Sequence, residues 1–388
     1  MNKSSIVNSL SDVSKKRAPY RFKFRISTLL LASILLNCIP YIRTKIEKRL
    51  VRVAIITGVD SVSISGIKDN MFYDNYVVCN DNEEFPIFIK PAGKRVVVNQ
   101  KPYRGNFEIR NIDKKIWVIN ILEIEEYLKG VVPCEIGRIS RDLIEAAAAQ
   151  AIAARTYAYA HLNQYEKLGF DLYATTKDQV YGGILVEDSL TNKAIEKTSG
   201  LVLTYKGKPI DAKYHSTCGG RTADFNDIWE GNPVPYLISV ECGFCKSSPH
   251  FNWQKIIKKE EFFKNLRTNL FRTGIPIGDS ELIRGFKFKR NPKNKRIIQV
   301  KIITNNSEYT LPNYNIRMIF GSEKDPSGIL KSNYFTLNVQ NDSVIIEGKG
   351  FGHGVGMCQF GAMGMAKKGK KFKEILRHYY PGTKLVRY

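Results

Sequence analysis

The sequence predicts an α+β protein with a β-rich N-terminal lobe and a mixed α/β core that carries an inserted β-rich lobe. One membrane-anchor helix is expected to precede these lobes. Three patterns lead to this prediction. Short segments rich in Val and Ile fill residues 51–120, an alanine-rich helical segment follows at 142–167, and β-type segments return at 284–311. With 388 residues the chain can bury a sizeable core in more than one lobe.

The N-terminal segment has the layout of a signal anchor or signal peptide. Residues 26–42 are almost wholly apolar, and they follow a basic tail, residues 1–25, that we expect in the cytoplasm. Since no small-x-small cleavage site is evident, we favour an uncleaved anchor. The remaining chain is then expected outside the cytoplasmic membrane, tethered to it by a single pass. If the segment is cleaved, the protein is secreted.

In the first half of the chain beyond the anchor, the sequence predicts strands followed by helices. The 51–120 segments are broken by Gly, Asn, Asp and Pro, as in short strands. An amphipathic helix around Leu122–Leu128 is expected to end at Gly130, because glycine commonly terminates helices. The expected elements that follow are a helix at 142–167, a helix at 189–198, and a hairpin that turns at Gly207.

The second half is expected to interrupt the core, region 121–388, with an inserted lobe at about 257–335. Residues 216–253 look like a long loop, and such loops are usually functional or held by a metal or disulfide. The expected elements that follow are a helix at 257–270, strands at 284–311, two strands at 334–349, a glycine-rich turn at 350–361, and a helix at 372–379.

The charge of the chain restricts its partners. A net charge of +23 predicts attraction to a polyanion, whether nucleic acid, an anionic membrane surface or an acidic cell wall. The sequence contains no zinc-finger spacing, aromatic RNA-binding signature or helix-turn-helix pattern. We therefore expect no nucleic-acid partner.

Glu135 is the first candidate for chemistry. It follows an apolar run and precedes the alanine-rich helix. A carboxyl group in a partly apolar cleft has a raised pKa and can donate a proton near neutral pH. Glycosidic bonds need such an acid at the leaving oxygen. A surface or helix-capping glutamate is the alternative.

Arg155 is the second candidate, because its helix face is otherwise apolar. An arginine there needs a carboxylate or carbonyl partner. It could orient Glu135 or bind a substrate carboxylate, or its guanidinium could reach water.

His215, Cys218, Cys242 and Cys245 form a candidate metal site. His215-x-x-Cys218 and Cys242-x-x-Cys245 each resemble half of a zinc site, and together they offer four ligands. A structural zinc, a disulfide and unpaired thiols remain the three interpretations of this pattern. Cys358 is expected to be an ordinary buried thiol.

The glycine-rich turn at 350–361 carries His353 and Gln359. Its spacing fits neither a dinucleotide-binding motif nor a phosphate-binding loop. Close approach of the backbone is the more natural use of these glycines. His353 could contact substrate or lie in the core.

Several of these segments together resemble the SpoIID/LytB family, named for stage II sporulation protein D and an amidase enhancer. The segments that carry the resemblance occur in the family's order over roughly residues 115–388: EEYLKGVVPCEIG, AQAIAARTYAYAH, TTKDQVYGG, HSTCGGRTADFNDIW, PYLISVE and GFGHGVGMCQFGAMGMA. Three departures from the family pattern are present. The spacing from Glu135 to Arg155 is about two residues longer than expected for the sporulation enzymes, Ala148 lies at or near a position where a lysine is common, and Cys358 stands where serine is usual.

The resemblance implies a membrane-anchored lytic transglycosylase that acts on the glycan strands of peptidoglycan. It places the catalytic acid at Glu135. The substrate-binding residues that it implies are Arg155, Gln179, Tyr181, His215, Ser216, His353 and Gln359. The reaction it implies cleaves the bond between N-acetylmuramic acid (MurNAc) and N-acetylglucosamine (GlcNAc), leaves 1,6-anhydroMurNAc ends, and needs no cofactor.

The family's second name implies an alternative function. The chain could be a non-catalytic wall-binding protein that activates a separate N-acetylmuramoyl-L-alanine amidase. Its partners would then be peptidoglycan and that amidase. A basic charge and a membrane anchor suit both functions.

Overall fold

The computed structural model describes the chain from residue 49 onward. The residues it describes are 49–68, 71–79, 84–91, 95–275, 277–278, 280–311, 313–325 and 328–388. The basic tail and the expected anchor at 26–42 lie outside them. Among the described residues, no helix has both the length and the apolar character needed to span a bilayer.

The N-terminal lobe consists of strands that form two sheets. Its strands are β1 (Leu50–Val59), β2 (Ser61–Lys68), β3 (Met71–Cys79), β4 (Ile87–Ile89), β5 (Val96–Val98), β6 (Lys101–Tyr103), β7 (Asn106–Ile112) and β8 (Lys115–Glu123). One sheet has the order β4-β7-β8-β1 and continues into a short strand of the core, β9 (Leu172–Tyr173), while the other has the order β3-β2-β5-β6. In β1, Val51 and Val53 are fully buried, as the period of two residues requires.

The core is built around the alanine-rich helix. The helices of this region are α1 (Ile124–Ile136), α2 (Ile144–Ala160) and α3 (Ser189–Lys197). The alanines of α2 from Ala146 to Ala158 are completely buried, and α1, α3 and two C-terminal helices contact this helix. Methyl side chains let these helices approach closely, so α2 is enclosed by the core.

Two small sheets and two helices complete the core. One sheet contains β10 (Leu201–Tyr205), β11 (Lys208–Pro209) and the C-terminal strand, which is β20 (Lys384–Arg387). The other pairs β12 (Tyr214–His215) in parallel with β19 (Met357–Cys358), and His215 lies opposite Cys358 in the register. The helices α6 (Gln359–Lys367) and α7 (Phe372–Tyr379) follow β19. The β12–β19 pair thus joins segments that are far apart in sequence.

The inserted lobe has its own hydrophobic cluster, which runs in sequence from Trp253 to Ile346. It is therefore wider than the expected 257–335. Its elements are β13 (Asn252–Lys258), α4 (Lys259–Arg272), β14 (Ile283–Arg290), β15 (Ile297–Thr304), β16 (Glu308–Leu311), α5 (Ile316–Ile319), β17 (Phe335–Val339) and β18 (Ser343–Lys349). They form the sheets β13-β18-β17 and β14-β15-β16.

The α+β fold class is confirmed for the described residues, but the expected end of α1 is wrong. The helix continues through Gly130 and Pro133 to Ile136. Gly130 serves close packing there, because a Cβ atom at this position would lie 2.4 Å from a ring carbon of Tyr181. The continued helix places Glu135 in its last turn.

Candidate active site

A cleft of about 350 Å³ contains Glu135 and is lined by both the core and the inserted lobe. The core supplies most of the lining polar groups, and the inserted lobe supplies Arg317 and Ile329. The polar core residues that matter below are Glu135, Asp178, Tyr214, His215, His353 and Gln359. Ser216 also lines the cleft.

Glu135 is half-buried and accepts hydrogen bonds on both carboxyl oxygens. The backbone N–H of Val180 donates to Oε1 at 3.0 Å, and the side-chain amide of Gln359 donates to Oε2 at 3.4 Å. Burial raises the pKa of Glu135, while the hydrogen bonds from Val180, Gln359 and Tyr214 oppose this rise. The net rise favours a protonated carboxyl group at a higher pH than is usual for glutamate.

Two buried side chains and the half-buried Tyr214 are linked by hydrogen bonds behind Glu135. The Tyr127 hydroxyl donates to Gln179 Oε1 at 3.2 Å, and Gln179 Nε2 donates to the Tyr214 hydroxyl at 2.9 Å. Tyr214 also acts on Glu135 and opposes the rise of its pKa. Burial, and then the nearby Glu135 charge, raise the pKa of Tyr214 well above its usual value, so its hydroxyl keeps the proton that it donates. Gln179 therefore positions Tyr214 from behind the cleft.

The two histidines of the cleft are neutral and differ in what they offer. His353 uses both ring nitrogens, because Nδ1 accepts from the Val355 N–H at 3.1 Å and Nε2 lies 2.9 Å from the Tyr214 carbonyl oxygen. His215 Nδ1 lies 3.1 Å from the Val355 carbonyl oxygen, which leaves Nε2 buried without a hydrogen-bond partner. Burial lowers the pKa of His215 to about 3 and that of His353 well below its usual value. His215 Nε2 is thus an acceptor.

Arg155 and Tyr181 are not among the residues that line the cleft, whereas the other expected substrate-binding residues except Gln179 are. Arg155 is fully buried, and its Nε and Nη2 donate to the Glu125 carboxylate at 2.7 and 2.8 Å. Its Nη1 donates to the Leu201 carbonyl oxygen at 3.1 Å. The Tyr181 hydroxyl donates to Asn120 at 3.0 Å. Arg155 therefore has the carboxylate partner that its apolar helix face requires, and that partner is Glu125 rather than Glu135 or substrate.

Four buried cysteines form a cluster next to the cleft. The sulfur atoms of Cys218, Cys242, Cys245 and Cys358 lie within 4.8 Å of one another. His215 is not among them, whereas Cys358 is, so the groups that lie together differ in that member from the expected set. Cys358 is a buried free thiol, as expected, but it lies beside three others.

The cluster has the chemistry of a closed tetrahedral metal site. Cys218 Sγ and Cys245 Sγ are 3.5 Å apart, too far for a disulfide bond and close to the distance of roughly 3.8 Å between thiolates that share a zinc ion. The N–H groups of Cys218 and Gly361 donate to Cys358 Sγ, each at 3.3 Å. Hydrogen bonding from Cys218 lowers the pKa of Cys242 and of Cys245, whereas burial raises that of Cys358. Four sulfur ligands would fill the coordination shell and leave no position for a catalytic water.

Sequence reasoning missed three residues of this region. Tyr214 directly precedes His215, a residue that the family resemblance includes. The sequence alone does not show that the Tyr214 hydroxyl lies near Glu135. Cys358 is far in sequence from the other cysteines, and only the β12–β19 pairing brings it to them. Arg317 belongs to the inserted lobe, whose packing against the cleft no local pattern reveals.

Asp178 is the second carboxylate of the cleft, and it is already engaged. It accepts hydrogen bonds from the Tyr157 hydroxyl at 3.0 Å, from Gln164 at 3.2 Å and from the Tyr173 N–H at 2.9 Å. Glu135 is the carboxyl group of the cleft whose pKa is raised. The arrangement suits chemistry that uses one proton-donating carboxyl group.

Comparison with known proteins identifies two segments of the chain. The sequence model of a stage II sporulation protein family, SpoIID, matches residues 112–205, which include Glu135 and Gln179. A domain of unknown function, DUF8618, matches residues 241–356 and therefore includes all the elements of the inserted lobe.

Three relatives are similar over most of this chain. An uncharacterized protein of Brachyspira hyodysenteriae is 34% identical over 293 residues, which cover 75% of this chain and 74% of that protein. Stage II sporulation protein D of Bacillus subtilis is 31% identical over 327 residues, 79% of this chain and 85% of that protein. The amidase enhancer of Bacillus subtilis is 30% identical over 347 residues, 77% of this chain but 47% of that protein.

The pairing of Arg155 with Glu125 predicts that Arg155 contributes to stability. Replacing Arg155 by Met should lower the free energy of unfolding by about 3 kcal/mol, because it leaves a charged partner without its guanidinium. Urea unfolding followed by circular dichroism measures this. Arg138→Met, at an exposed position, is the matched control and should change stability by less than about 0.5 kcal/mol. Unchanged stability of Arg155→Met would contradict the structural role.

Proposed function

Because the chain belongs to the stage II sporulation protein D family, we propose that it is a lytic transglycosylase that cleaves the MurNAc–GlcNAc bond of peptidoglycan glycan strands. Family membership and the similarity to an amidase enhancer support a role at the cell wall. The observation that carries the proposed reaction is the raised pKa of Glu135, held in a cleft where the other carboxylate is engaged.

In the proposed mechanism, Glu135 first acts as a general acid. It protonates the glycosidic oxygen between MurNAc and GlcNAc as the bond to C1 of MurNAc breaks. The resulting carboxylate then removes the proton from the C6 hydroxyl of the same MurNAc, whose oxygen attacks C1. The product is a 1,6-anhydro sugar, and Glu135 regains its proton. One carboxyl group suffices, because the nucleophile belongs to the substrate.

The surroundings of Glu135 suit both halves of this cycle. Burial favours the protonated form that starts the reaction. The donors Val180 N–H, Gln359 and Tyr214 stabilise the carboxylate that exists between the two proton transfers. In this proposal His215 accepts a hydrogen bond from a sugar hydroxyl, and Ser216 and His353 contribute to the wall of the sugar site.

A second candidate function is activation of an amidase without catalysis. The observation that favours it is the similarity to a protein named amidase enhancer. In that case the cleft would bind glycan strands without cleaving them. The two functions differ in their products: anhydro-ended glycan fragments indicate a transglycosylase, whereas increased peptide release by a separate amidase indicates an activator.

The proposed function also places the described residues outside the cytoplasmic membrane, where peptidoglycan lies. Under this proposal residues 26–42 anchor the chain, with the basic tail in the cytoplasm. The net charge of +23 would favour association with an acidic cell wall.

Glu135→Gln should abolish turnover and preserve the fold. The amide keeps the shape of the side chain but cannot donate a proton to the leaving oxygen, and such acid–base assistance is worth about 10²–10⁴-fold. Mass spectrometry of digested glycan strands measures the anhydro-ended products. Glu126→Gln, the same change on the same helix but outside the cleft, is the control and should retain activity. Full activity of Glu135→Gln would refute the assignment.

We further propose that the four-cysteine cluster holds a structural zinc ion. The cluster takes Cys218 from the segment after β12 and Cys358 from the end of β19, so a bound ion would cross-link these two segments. Of the cleft residues, Gln359 directly follows Cys358, and Ser216 lies two residues before Cys218. The zinc would therefore brace the cleft wall and take no part in the reaction.

Cys245→Ser should reduce bound zinc from one ion per chain to a small fraction of that value. It should also lower the Tm by about 5 °C, because metal binding contributes to folding. Elemental analysis and thermal unfolding measure the two effects. Cys79→Ser, which removes a half-buried thiol outside the cluster, is the control. A wild-type protein purified with zinc available but without bound metal would contradict the proposal.

A further inference from the structure

Arg317 is a cation that the inserted lobe presents to the cleft of Glu135. It belongs to the short helix α5 and lines the cleft together with Ile329. Every other charged side chain that lines this cleft comes from the core. The proposed mechanism gives Arg317 no role, because the proton transfers take place at Glu135.

The guanidinium group of Arg317 is only partly engaged by the protein. Its Nε donates to the Leu330 carbonyl oxygen at 2.8 Å, which fixes the direction of the side chain. Among the residues that the structure describes, no carboxylate forms an ion pair with it. Burial lowers the pKa of Arg317 to about 10, so the group stays charged at neutral pH. A partly buried cation without an anionic partner is costly unless a ligand supplies that partner.

The nearby charges do not supply the missing anion. Arg296 is fully buried, and it donates to Asn333 at 2.9 Å and to the Cys218 carbonyl oxygen at 2.8 Å. After burial, its charge also lowers the pKa of Arg317. The two cleft carboxylates, Asp178 and Glu135, accept hydrogen bonds from groups other than Arg317. Among the described residues, the cleft therefore offers Arg317 no paired anion.

A second observation points to a ligand at the same place. His215 Nε2 is buried, lines the cleft and has no hydrogen-bond partner. The charge of Arg317 acts on both cleft histidines and lowers their pKa, after the larger effect of burial. A ligand with an anionic group and a neighbouring hydroxyl would satisfy both Arg317 and His215.

We propose that Arg317 binds a carboxylate of the glycan substrate and thereby selects which strands enter the cleft. This inference rests on the proposed function. The glycan differs from a neutral sugar polymer at MurNAc, whose lactyl group ends in a carboxyl carbon. That group is a free carboxylate when the stem peptide has been removed, and an amide when it is present. A stem peptide carries carboxylates of its own. Arginine suits either source, because its free N–H groups can grip a carboxylate with two parallel hydrogen bonds.

The test measures binding, not turnover, by the full chain that carries Glu135→Gln. The probes are MurNAc–GlcNAc tetrasaccharides in three forms: with free lactyl carboxylates, with the same groups converted to primary amides, and with intact stem peptides. Isothermal titration calorimetry gives each Kd. Adding Arg317→Gln should weaken binding of a carboxylate-bearing form by about 10- to 100-fold and leave the amide form unchanged.

Two further variants make the test specific. Arg317→Lys keeps the charge but not the bidentate geometry, and it should recover part of the affinity. Arg284→Gln removes an exposed charge of the same lobe outside the cleft and should change no Kd. Weakening on the free-lactyl form identifies the lactyl group as the partner, and weakening on the peptide form alone identifies the stem peptide.

The inference is overturned if Arg317→Gln leaves every Kd unchanged, if it weakens the amide form equally, or if no form binds. Failure of the proposed function looks different. The chain with Glu135 intact would then release no anhydro-ended products, whatever the Kd values of the Arg317 variants.

Discussion

The interaction on which the site depends is the hydrogen-bond chain from Tyr127 through Gln179 to Tyr214, next to Glu135. The donors run in one direction along this chain, and Tyr214 opposes the rise in the pKa of Glu135. Burial pushes the carboxyl group toward its neutral form, and the chain limits that effect. The result is a group that can give up a proton and take it back. Such a balance cannot be made by Glu135 alone, because it requires α1, the segment that carries Gln179 and Val180, and β12 to meet at one point.

The pairing of β12 with β19 links this chain to the rest of the molecule. The two strands contribute Tyr214 and His215 on one side and Cys358 on the other, and Gln359 follows directly. The cysteine cluster therefore lies beside the residues that position Glu135. A metal in the cluster would hold the two strands in register from outside the cleft. This explains how a closed site without an open coordination position can still matter for the reaction.

The sequence predicted the fold class and most of the elements, but not the contacts between distant segments. Glu135 and Gln359 could be named from local blocks, and the structure brings them together. Gly130 made the predicted end of α1 wrong. A glycine that ends a helix and a glycine that allows close packing inside one look the same in sequence, and Gly130 is of the second kind, packed against Tyr181. For Arg155 the sequence predicted a carboxylate or carbonyl partner, but it did not predict that this partner is Glu125. Cys358 and Arg317 reach their sites through contacts between segments that are far apart in the chain. No short sequence pattern predicts such contacts.

The inserted lobe extends the chemistry of the cleft without altering its central acid. Its hydrophobic cluster is separate from that of the core, yet Arg317 and Ile329 reach the cleft. In the two proposals, the core carries the proton transfer and the insert contributes to substrate selection. Lobes of this kind can change specificity while the catalytic arrangement stays in place.

In the proposed mechanism the substrate's own hydroxyl, and not water, attacks at C1. Digestion of purified glycan strands in water enriched in ¹⁸O, followed by mass spectrometry of the new ends, distinguishes the two nucleophiles. Attack by the hydroxyl predicts MurNAc ends that lack the mass of one water and carry no ¹⁸O. Reducing MurNAc ends that carry one ¹⁸O atom would show hydrolysis and contradict the mechanism.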